Sequence, residues 1–399
     1  MNVEELKSAV CLEIDRLAPM LVDVSHQLWD HPELGYEERF AHALLTDAIA
    51  GAGLTVERHA FGIDTAFVAE AGSDGPTVAV LCEYDALPEI GHACGHNIIG
   101  AAGLGAGLAL AAHAAEACGR VRLLGTPAEE GGGGKVVMAH RGAFEGVVAA
   151  MMVHPADHDL LAMDTIAINQ LAVRYTGTAA HAAAFPWKGR NALDAAVLGY
   201  VNVAALRQHI EPDERIHGIF TKAGDKPNIV PRDTEALWYV RSGTIARLQP
   251  LKDRVLRCLS AGAEAAGCSM HHEWGSHTYS EMIDCWPIAH RYAANASRLG
   301  RTVVDGRSTG SRVVGSTDMG NVSYLVPSIH PMIAVAPAGV SIHTPEFAAF
   351  ARGAAGDRAV LDGAKAMAMT AVELWCEREL RDEAHSLWQS ERAKRSPSP

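Results

Sequence analysis

Four short apolar runs, separated by helical patterns, constrain the fold of this chain more than any other feature. The runs lie at 77–81, 121–124, 147–153 and 332–336, and their length suits strands that are buried on both faces. The first helical pattern between them is a stretch of small residues at about 98–117. Strands that alternate with helices predict an α/β fold with a doubly wound, mostly parallel sheet.

The middle of the chain follows a different pattern. Strands are predicted at 166–176, 215–222, 234–241 and 269–277, and helices at 191–209 and 245–266. This order, βαββαβ, is that of a ferredoxin-like α+β unit. We expect residues 171–284 to form such a domain, inserted between two parts of a catalytic domain, 1–170 and 285–399. One helix is predicted over roughly the first 40 residues, and one long helix after about residue 356.

Composition limits the partners that the chain can have. Its 399 residues include 34 Lys and Arg against 47 Asp and Glu, a formal net charge of -13, and phosphate binding needs a basic surface. No stretch approaches the ~20 uninterrupted apolar residues of a membrane span, and the acidic N-terminus does not resemble a secretory signal. The eight cysteines form no CxxC pair. We therefore expect a cytoplasmic protein with reduced thiols and without nucleic acid or membrane as a partner.

Each apolar run leads into side chains of the kinds that bind metal ions. In chain order these are Cys94 and His96, Glu129 and Glu130, His154, and His343. The carboxyl ends of parallel strands line one crevice of an open sheet, so we expect these side chains to converge. Thiol, imidazole and carboxylate donors suit Zn²⁺, and six donors exceed the needs of one four-coordinate ion. The sequence therefore predicts two divalent ions, with zinc favoured by the thiolate, Mn²⁺ or Co²⁺ left open, and Cys94 as a candidate bridge.

The adjacent glutamates are expected to have separate roles. Glu130 is predicted to bind metal, and Glu129 to act as the general base that moves a proton from water to the leaving nitrogen. Taken alone, Cys94 or either later histidine is more often structural, and the glutamate pair before four glycines is more often a solvated turn. The assignment depends on the expected convergence of all these residues at one sheet edge.

Several motifs resemble a known family in order along the chain. They are His31–Glu38, Tyr84–Pro88, His92–His96, Pro127–Glu130 and His343–Phe347. They resemble the dinuclear-zinc aminoacylase and carboxypeptidase family, and within it the amidohydrolase branch of hippurate, auxin-conjugate and aminobenzoyl-glutamate hydrolases. The Asn after His96, the glycine run that ends at Lys135, and the Gly-Ser-Thr-Asp at 315–318 resemble a narrower group, the aminobenzoyl-glutamate hydrolases and the dipeptidases that act on β-alanyl-lysine.

This resemblance implies a metal-dependent hydrolase of an amide bond in a small N-acyl amino acid or dipeptide. It implies Glu129 as the base and the following metal ligands: Cys94, His96, Glu130, His154 and His343. It also implies that the inserted domain is a lid and dimerisation domain, and hence a homodimer. His181 matches a lid histidine that stabilises the oxyanion. The resemblance gives the following substrate-binding positions: Asn228, Arg241 and Ser316.

One departure from the wider family concerns the first strand. Most relatives take early ligands from a His-x-Asp there, where this chain has Leu81, Cys82 and Glu83. Glu83 is left without a role, and Asp85 is expected to orient a metal ligand through a hydrogen bond. Two alternatives stay open: a thiol hydrolase with Cys94 as nucleophile, and a metal-bound scaffold without catalysis.

Overall fold

The computed structural model describes residues 1–306 and 314–395, which divide into two compact units. The large unit comprises Met1–Asp164 and Met282–Lys394, and the inserted unit is formed by Thr165–Glu281. The inserted unit therefore begins a few residues before, and ends a few residues before, the range 171–284 expected from the sequence. Each unit has its own hydrophobic core.

The large unit contains nine of the described helices and ten of the described strands. Its helices are α1 Val3–Asp30, α2 Arg39–Gly51, α3 His96–Ala117, α4 Gly134–His140, α7 Trp286–Arg298, α8 Met319–Ser323, α9 Pro345–Ala351, α10 Ala354–Cys376 and α11 Arg378–Arg395. Its strands are β1 Val56–Arg58, β2 Phe67–Ala71, β3 Thr77–Cys82, β4 Arg120–Gly125, β5 Val147–Met151, β6 His154–Ala156, β7 Asp164–Thr165 (shared with the inserted unit), β12 Val314–Gly315, β13 Ser328–Ile329 and β14 Met332–Ala334.

The main sheet of the large unit has the order β1-β2-β4-β3-β5-β13. Strands β3, β4, β5 and β13 are parallel, whereas β2 runs antiparallel to β4 and β1 antiparallel to β2. The doubly wound, mostly parallel sheet is confirmed, with an antiparallel edge that the apolar runs did not predict. Every residue of β3 is buried, as expected for a central strand that is covered on both faces.

Helix α3 packs against β3 because its small residues allow close approach. A Cβ at Gly103 would lie 2.6 Å from the carbonyl oxygen of Leu81 and 2.7 Å from the Sγ of Cys82, so only glycine fits there. By length and composition α3 could cross a membrane, but 78% of its most apolar window is buried within the protein. Its hydrophobicity is therefore accounted for by its central position in the core.

Two predicted helices are shorter in the structure. The N-terminal helix, predicted over roughly the first 40 residues, ends at Asp30, and α2 begins only at Arg39. The predicted long C-terminal helix breaks between α10 and α11. At this break Glu377 adopts φ -102° and ψ 101°, outside the helical region. The guanidinium of Arg381 donates hydrogen bonds to the carbonyls of Leu374 and Trp375, which satisfies the open end of α10. No glycine or proline marks this break, so the single-helix prediction was wrong.

The inserted unit has the predicted βαββαβ order. Its elements are β8 Ala167–Thr176, α5 Ala192–Leu206, β9 Arg215–Lys222, β10 Asp233–Ser242, α6 Ile245–Ala265 and β11 Ser269–Trp274. The strands lie in the order β11-β8-β10-β9, and all neighbours are antiparallel. Both helices contribute to the core beneath one face of the sheet. The ferredoxin-like α+β arrangement is thus confirmed.

Candidate metal centre

The thiol, imidazole and carboxylate groups predicted to converge do lie together in the large unit. The Sγ of Cys94 is 3.4 Å from Nε2 of His154 and 3.3 Å from Nε2 of His343. The same His343 nitrogen is 3.3 Å from Oε1 of Glu130, which lies 3.9 Å from Nε2 of His96. Two ligands of one tetrahedral zinc ion are about 3.3–3.6 Å apart, given bonds of about 2.0–2.3 Å. The separations therefore suit donors that share metal ions.

Three sets of donor atoms each lie within 4.8 Å of one another. They are Cys94 with His96 and His154, Cys94 with Glu130 and His343, and His96 with Glu129 and Glu130. Cys94 belongs to two sets, so its thiolate can serve two neighbouring ions. The donors fit a pair of divalent ions, as the sequence predicted, and the soft thiolate suits zinc.

Backbone conformation places the first ligands. Gly95 has φ 81°, and a Cβ there would lie 2.8 Å from Cγ of Pro155, so glycine is needed between Cys94 and His96. His96 is the first residue of α3. His343 itself adopts φ 64°, and its N–H donates to the carbonyl of Ala93 at 2.8 Å. A left-handed histidine is uncommon, and here it directs the ring towards Cys94.

Hydrogen bonds fix which nitrogen each histidine presents. Nδ1 of His96 lies 2.9 Å from the carbonyl oxygen and 3.0 Å from Oδ1 of Asp85, two acceptors, so it carries the proton and Nε2 faces the other donors. Nδ1 of His154 likewise donates to the carbonyl of Pro155 at 2.8 Å. Nε2 of His96 is buried and has no hydrogen-bond partner in the described residues. Such an atom is costly to bury unless a ligand satisfies it.

The two adjacent glutamates have opposite electrostatic environments. Burial, reinforced by the Glu83 and Glu130 carboxylates, raises the pKa of Glu129 well above its usual range. Burial acts in the same direction on Glu130, but the hydrogen bond to His343 and the charge of His96 outweigh it and lower its pKa. Carboxyl groups whose pKa values are pushed apart are suited to different tasks. The two adjacent carboxyl groups therefore differ in the protonation state that the fold favours.

Two of the candidate donor groups, Cys94 and His96, would have to lose protons for an ion to bind. Burial and the Glu130 carboxylate raise the pKa of the Cys94 thiol well above its usual range. Burial lowers the pKa of His96, but the charges of Cys94 and Asp85 outweigh it and raise the pKa. Burial and His330 lower the pKa of His154 to about 3, so its imidazole is neutral at physiological pH. Since thiolate and neutral imidazole are the binding forms, ion uptake releases protons.

The remaining predicted residues lie away from the ligand cluster in sequence. His181, Asn228 and Arg241 belong to the inserted unit, and the first two are exposed. The backbone N–H groups of Ala183 and Ala184 donate to Nδ1 of His181 at 3.3 and 3.1 Å. Half-buried Arg241 places its guanidinium 5.9 Å from the ring centroid of Tyr239. Ser316 is half-buried in the large unit.

Sequence reasoning missed the residues that hold the loop between β4 and α4. In this segment, residues 126–133 (the base loop), Oε1 of Glu38 accepts from the N–H of Ala128 at 2.8 Å, and Oδ2 of Asp85 accepts from the N–H of Glu130 at 2.9 Å. Just after it, Oδ2 of Asp318 accepts from the N–H of Lys135 at 2.8 Å. Three buried carboxylates thus accept hydrogen bonds from backbone N–H groups at or near Glu129 and Glu130. The sequence signal for Glu38 was its place in the N-terminal motif His31–Glu38.

The burial of Glu38 predicts a pH dependence of stability. Burial, with a contribution from the charge of Asp85, raises the pKa of Glu38 to about 7. A raised pKa means that the fold prefers the protonated form, so its stability contribution is complete below the ordinary pKa of 4.5 and is lost as pH rises through about 7. Glu38→Gln keeps an acceptor for the Ala128 N–H but cannot ionise. At pH 8 we expect the variant to be more stable than wild type by up to about 3 kcal/mol.

Urea unfolding of wild type and Glu38→Gln at pH 5 and pH 8 measures this difference. The matched control is Glu37→Gln, because Glu37 is the exposed neighbour of Glu38 and its loss should leave the pH dependence unchanged. An identical pH dependence in wild type and Glu38→Gln would show that Glu38 ionises normally in the folded protein.

Comparison with known proteins identifies the family to which the chain belongs. The model of peptidase family M20/M25/M40 matches residues 76–373. The Xaa-Arg dipeptidase of Mus musculus is 40% identical over 388 residues, which cover 94% of this chain and 90% of the relative. One of the two p-aminobenzoyl-glutamate hydrolase chains of Escherichia coli (strain K12) is 30% identical over 444 residues, which cover 93% of this chain and 92% of the relative.

A solved structure shares the fold. It is a Bacillus subtilis protein described as a dinuclear metal binding peptidase from the M20 family, with a TM-score of 0.69 at 18% identity, covering 90% of this chain and 99% of that chain. The family model spans most of the chain, and relatives that match nearly their whole length are named as a dipeptidase and an amide hydrolase. This chain therefore belongs to peptidase family M20/M25/M40 and is a hydrolytic enzyme.

Proposed function

We propose that this enzyme hydrolyses the amide bond of a small dipeptide or N-acyl amino acid with the help of two divalent ions. The proposed metal ligands are those predicted from the sequence: Cys94, His96, Glu130, His154 and His343. One observation carries the proposal: a thiol, three imidazoles and two carboxylates supply three sets of donor atoms, and the atoms of each set lie within 4.8 Å of one another.

In the proposed reaction the ions and the protein side chains have separate tasks. When bound, the ion pair polarises the amide carbonyl and lowers the pKa of water to about 7. The Glu129 carboxylate takes the proton of the attacking water and delivers it to the leaving nitrogen. Glu129 lies in one donor set with His96 and Glu130, so its carboxylate is close to the proposed ion position, which supports this role. Asp85, through its contact with His96, keeps the ligand nitrogen in place.

His181 is proposed to stabilise the oxyanion that forms at the attacked carbonyl. Its Nδ1 accepts from two backbone N–H groups, so the neutral ring carries its proton on Nε2 and can donate it. Removal of one such donor typically costs about 10²–10³ in kcat. We further propose that Asn228, Arg241 and Ser316 bind the substrate, with the Arg241 guanidinium suited to its carboxylate.

Dipeptides with a cationic C-terminal residue are the proposed substrate class. The Xaa-Arg dipeptidase shares 40% identity with this chain, against 30% for the aminobenzoyl-glutamate hydrolase chain. A formal net charge of -13 also attracts cationic dipeptides more than an anionic glutamate conjugate. Aminobenzoyl-glutamate is the second candidate, because that hydrolase chain matches over nearly its full length.

A hydrolysis screen with metal analysis tests the proposed function. The substrates are Xaa-Arg dipeptides, β-alanyl-lysine, aminobenzoyl-glutamate and hippurate. We expect about two ions per chain, the highest kcat/KM on the cationic dipeptides, and complete loss of activity on chelation. Activity that survives exhaustive chelation and is abolished by alkylation would instead support a thiol hydrolase. No hydrolysis of any substrate by the metal-loaded protein would support a non-catalytic scaffold.

We also propose a homodimer that forms through the inserted unit. In the part of the chain that the structure describes, β9 pairs with β10 alone and leaves its other edge open. On the neighbouring helix α5, Val197 and Val201 are 44% and 56% exposed, and Phe220 on β9, whose ring lies 6.0 Å from that of Tyr200 on α5, is 38% exposed. An open strand edge beside apolar side chains is a favourable surface for pairing with a second copy. A two-fold axis would bring the same surface of both protomers together.

Val201→Lys is expected to convert the dimer to a monomer. A lysine at the centre of an apolar contact introduces a charge that cannot be desolvated without cost, while the folded protomer tolerates it because the position is 56% exposed. Light scattering after gel filtration should then give a mass near 42.3 kDa in place of about twice that value. The matched control is Leu12→Lys, at a position on α1 that is 70% exposed. A Val201→Lys protein that keeps the wild-type mass would exclude this surface.

A further inference from the structure

A buried ion triad beside the metal ligands has no role in the proposed chemistry. The Nζ of Lys135 lies 2.6 Å from Oε1 of Glu83 and 2.6 Å from Oδ1 of Asp318, and all three side chains are 0% exposed. Glu83 is the residue that the sequence left without a role, and Lys135 and Asp318 end two of the motifs that resemble the narrower group. The structure shows that the three residues form one contact network.

The triad joins three segments that build the site. Glu83 directly follows β3, Lys135 follows the base loop as the second residue of α4, and Asp318 directly precedes α8. Lys135 holds Asp318 twice, with Nζ on Oδ1 at 2.6 Å and its backbone N–H on Oδ2 at 2.8 Å. The second oxygen of Glu83 lies 3.5 Å from Nε2 of His96, the nitrogen that faces the other metal ligands. One ammonium group therefore connects the loop of both adjacent glutamates with a ligand histidine.

Stability alone does not account for this arrangement. Buried ion pairs rarely stabilise a fold more than apolar residues of similar volume, because the desolvation of each charge offsets the attraction. The triad also carries two carboxylates for one ammonium. The triad instead fixes the positions of its two carboxylates. Lys135, just after the base loop, contacts both oxygens of Asp318 and one oxygen of Glu83.

We propose that Lys135 is a positioning residue for the metal centre, which holds the base loop and the Glu83 carboxylate so that Glu130 and His96 are arranged for ion binding. The proposal rests on the proposed metal site but not on the identity of the substrate. Lys135 acts through Glu83 and Asp318 and does not itself bind an ion. Outer groups that orient metal ligands typically contribute about 10–100-fold in metal affinity or activity.

Two variants distinguish a role of Lys135 in positioning the metal ligands from a role in balancing the charges of the two carboxylates. Lys135→Met removes the ammonium and leaves two buried carboxylates unpaired, so it should lower the melting temperature as well as metal affinity. The second variant combines Glu83→Gln, Lys135→Met and Asp318→Asn, which removes all three charges with little change of volume. If the triad positions the ligands, this neutral variant should regain thermal stability but still bind Co²⁺ about 10–100-fold more weakly than wild type.

The readouts are the melting temperature of the metal-free protein, a Co²⁺ titration followed by the thiolate-to-cobalt absorption of Cys94, and kcat and KM on the best substrate. We expect kcat to fall by about 10–100-fold with KM changed much less. Lys7→Met is the matched control, since Lys7 forms a buried pair with Glu373 in the same unit. That variant should lose thermal stability and keep wild-type Co²⁺ affinity and kcat.

The outcomes distinguish this proposal from the proposed function. The Co²⁺ titration needs no substrate, so it tests Lys135 even if every candidate dipeptide proves inactive. If the neutral variant kept wild-type Co²⁺ affinity and kcat, the positioning role would be overturned. The triad would then contribute to the folded structure alone. Equal loss of Co²⁺ affinity in Lys7→Met would overturn it too, because general destabilisation would then explain the effect.

Discussion

Glu129→Gln is expected to lower kcat by about 10²–10⁴-fold while the protein keeps both metal ions and changes little in KM. Glutamine has nearly the shape of glutamate but cannot accept the proton of the attacking water, and the loss of a positioned base typically costs this much. Glu129 is 8% exposed, so solvent has little access to replace it. Its neighbour Glu130 is the proposed ligand, which is why metal content should survive the change.

Steady-state kinetics and elemental analysis of the same preparation measure both halves of this expectation. The matched control is Glu145→Gln, an exposed carboxylate in the loop after α4, which should behave as wild type. Loss of one ion together with activity in Glu129→Gln would mean that Glu129 is a ligand, as its place in the set with His96 and Glu130 permits. Unchanged kcat would exclude it as the base.

Cys94→Ala should reduce the metal content from two ions per chain to one or fewer and lower kcat/KM by more than about 10²-fold. Its thiolate is shared by two of the three donor sets, so its loss weakens both ion positions, and losses at merely supporting groups already reach about 10²-fold. The cobalt-substituted enzyme should also lose its thiolate absorption. These measurements need no knowledge of the natural substrate.

Cys82→Ala is the matched control for this variant. Cys82 is a buried thiol at the end of β3 and belongs to none of the donor sets formed by the described residues, so its removal should retain both ions. Full metal content with abolished activity in Cys94→Ala would contradict the bridging role and favour Cys94 as a nucleophile. The pair of variants therefore decides between the leading function and its nearest alternative.

The family, the fold and the convergence of the ligand residues could be predicted because they depend on order along the chain. Parallel strands present their carboxyl ends at one edge, so the residues that follow β3, β4 and β5 were expected to meet there. His343 instead follows β14, which pairs with β6 outside the main sheet. The predicted family is confirmed by the match over residues 76–373. The roles of the individual site residues, by contrast, stay predictions that the variants above would test.

Other features could not be predicted from the local sequence pattern. Lys135 and Asp318 are 183 residues apart, and no periodicity reports a contact over that distance. The break at Glu377 has no glycine or proline to mark it, because the capping partner Arg381 is an ordinary helical residue. The antiparallel strands β1 and β2 at the sheet edge were missed because they are short and partly exposed.

The split of the large unit has a consequence for how the protein is made. The inserted unit is continuous, Thr165–Glu281, whereas the large unit is completed by a second stretch that begins at Met282. During synthesis the inserted unit can therefore finish folding while Cys94 and Glu130 still lack His343, since domains fold as their residues emerge from the ribosome. A nascent chain halted before His343 would lack one of the proposed ligands, so the proposed site could be completed only late in synthesis.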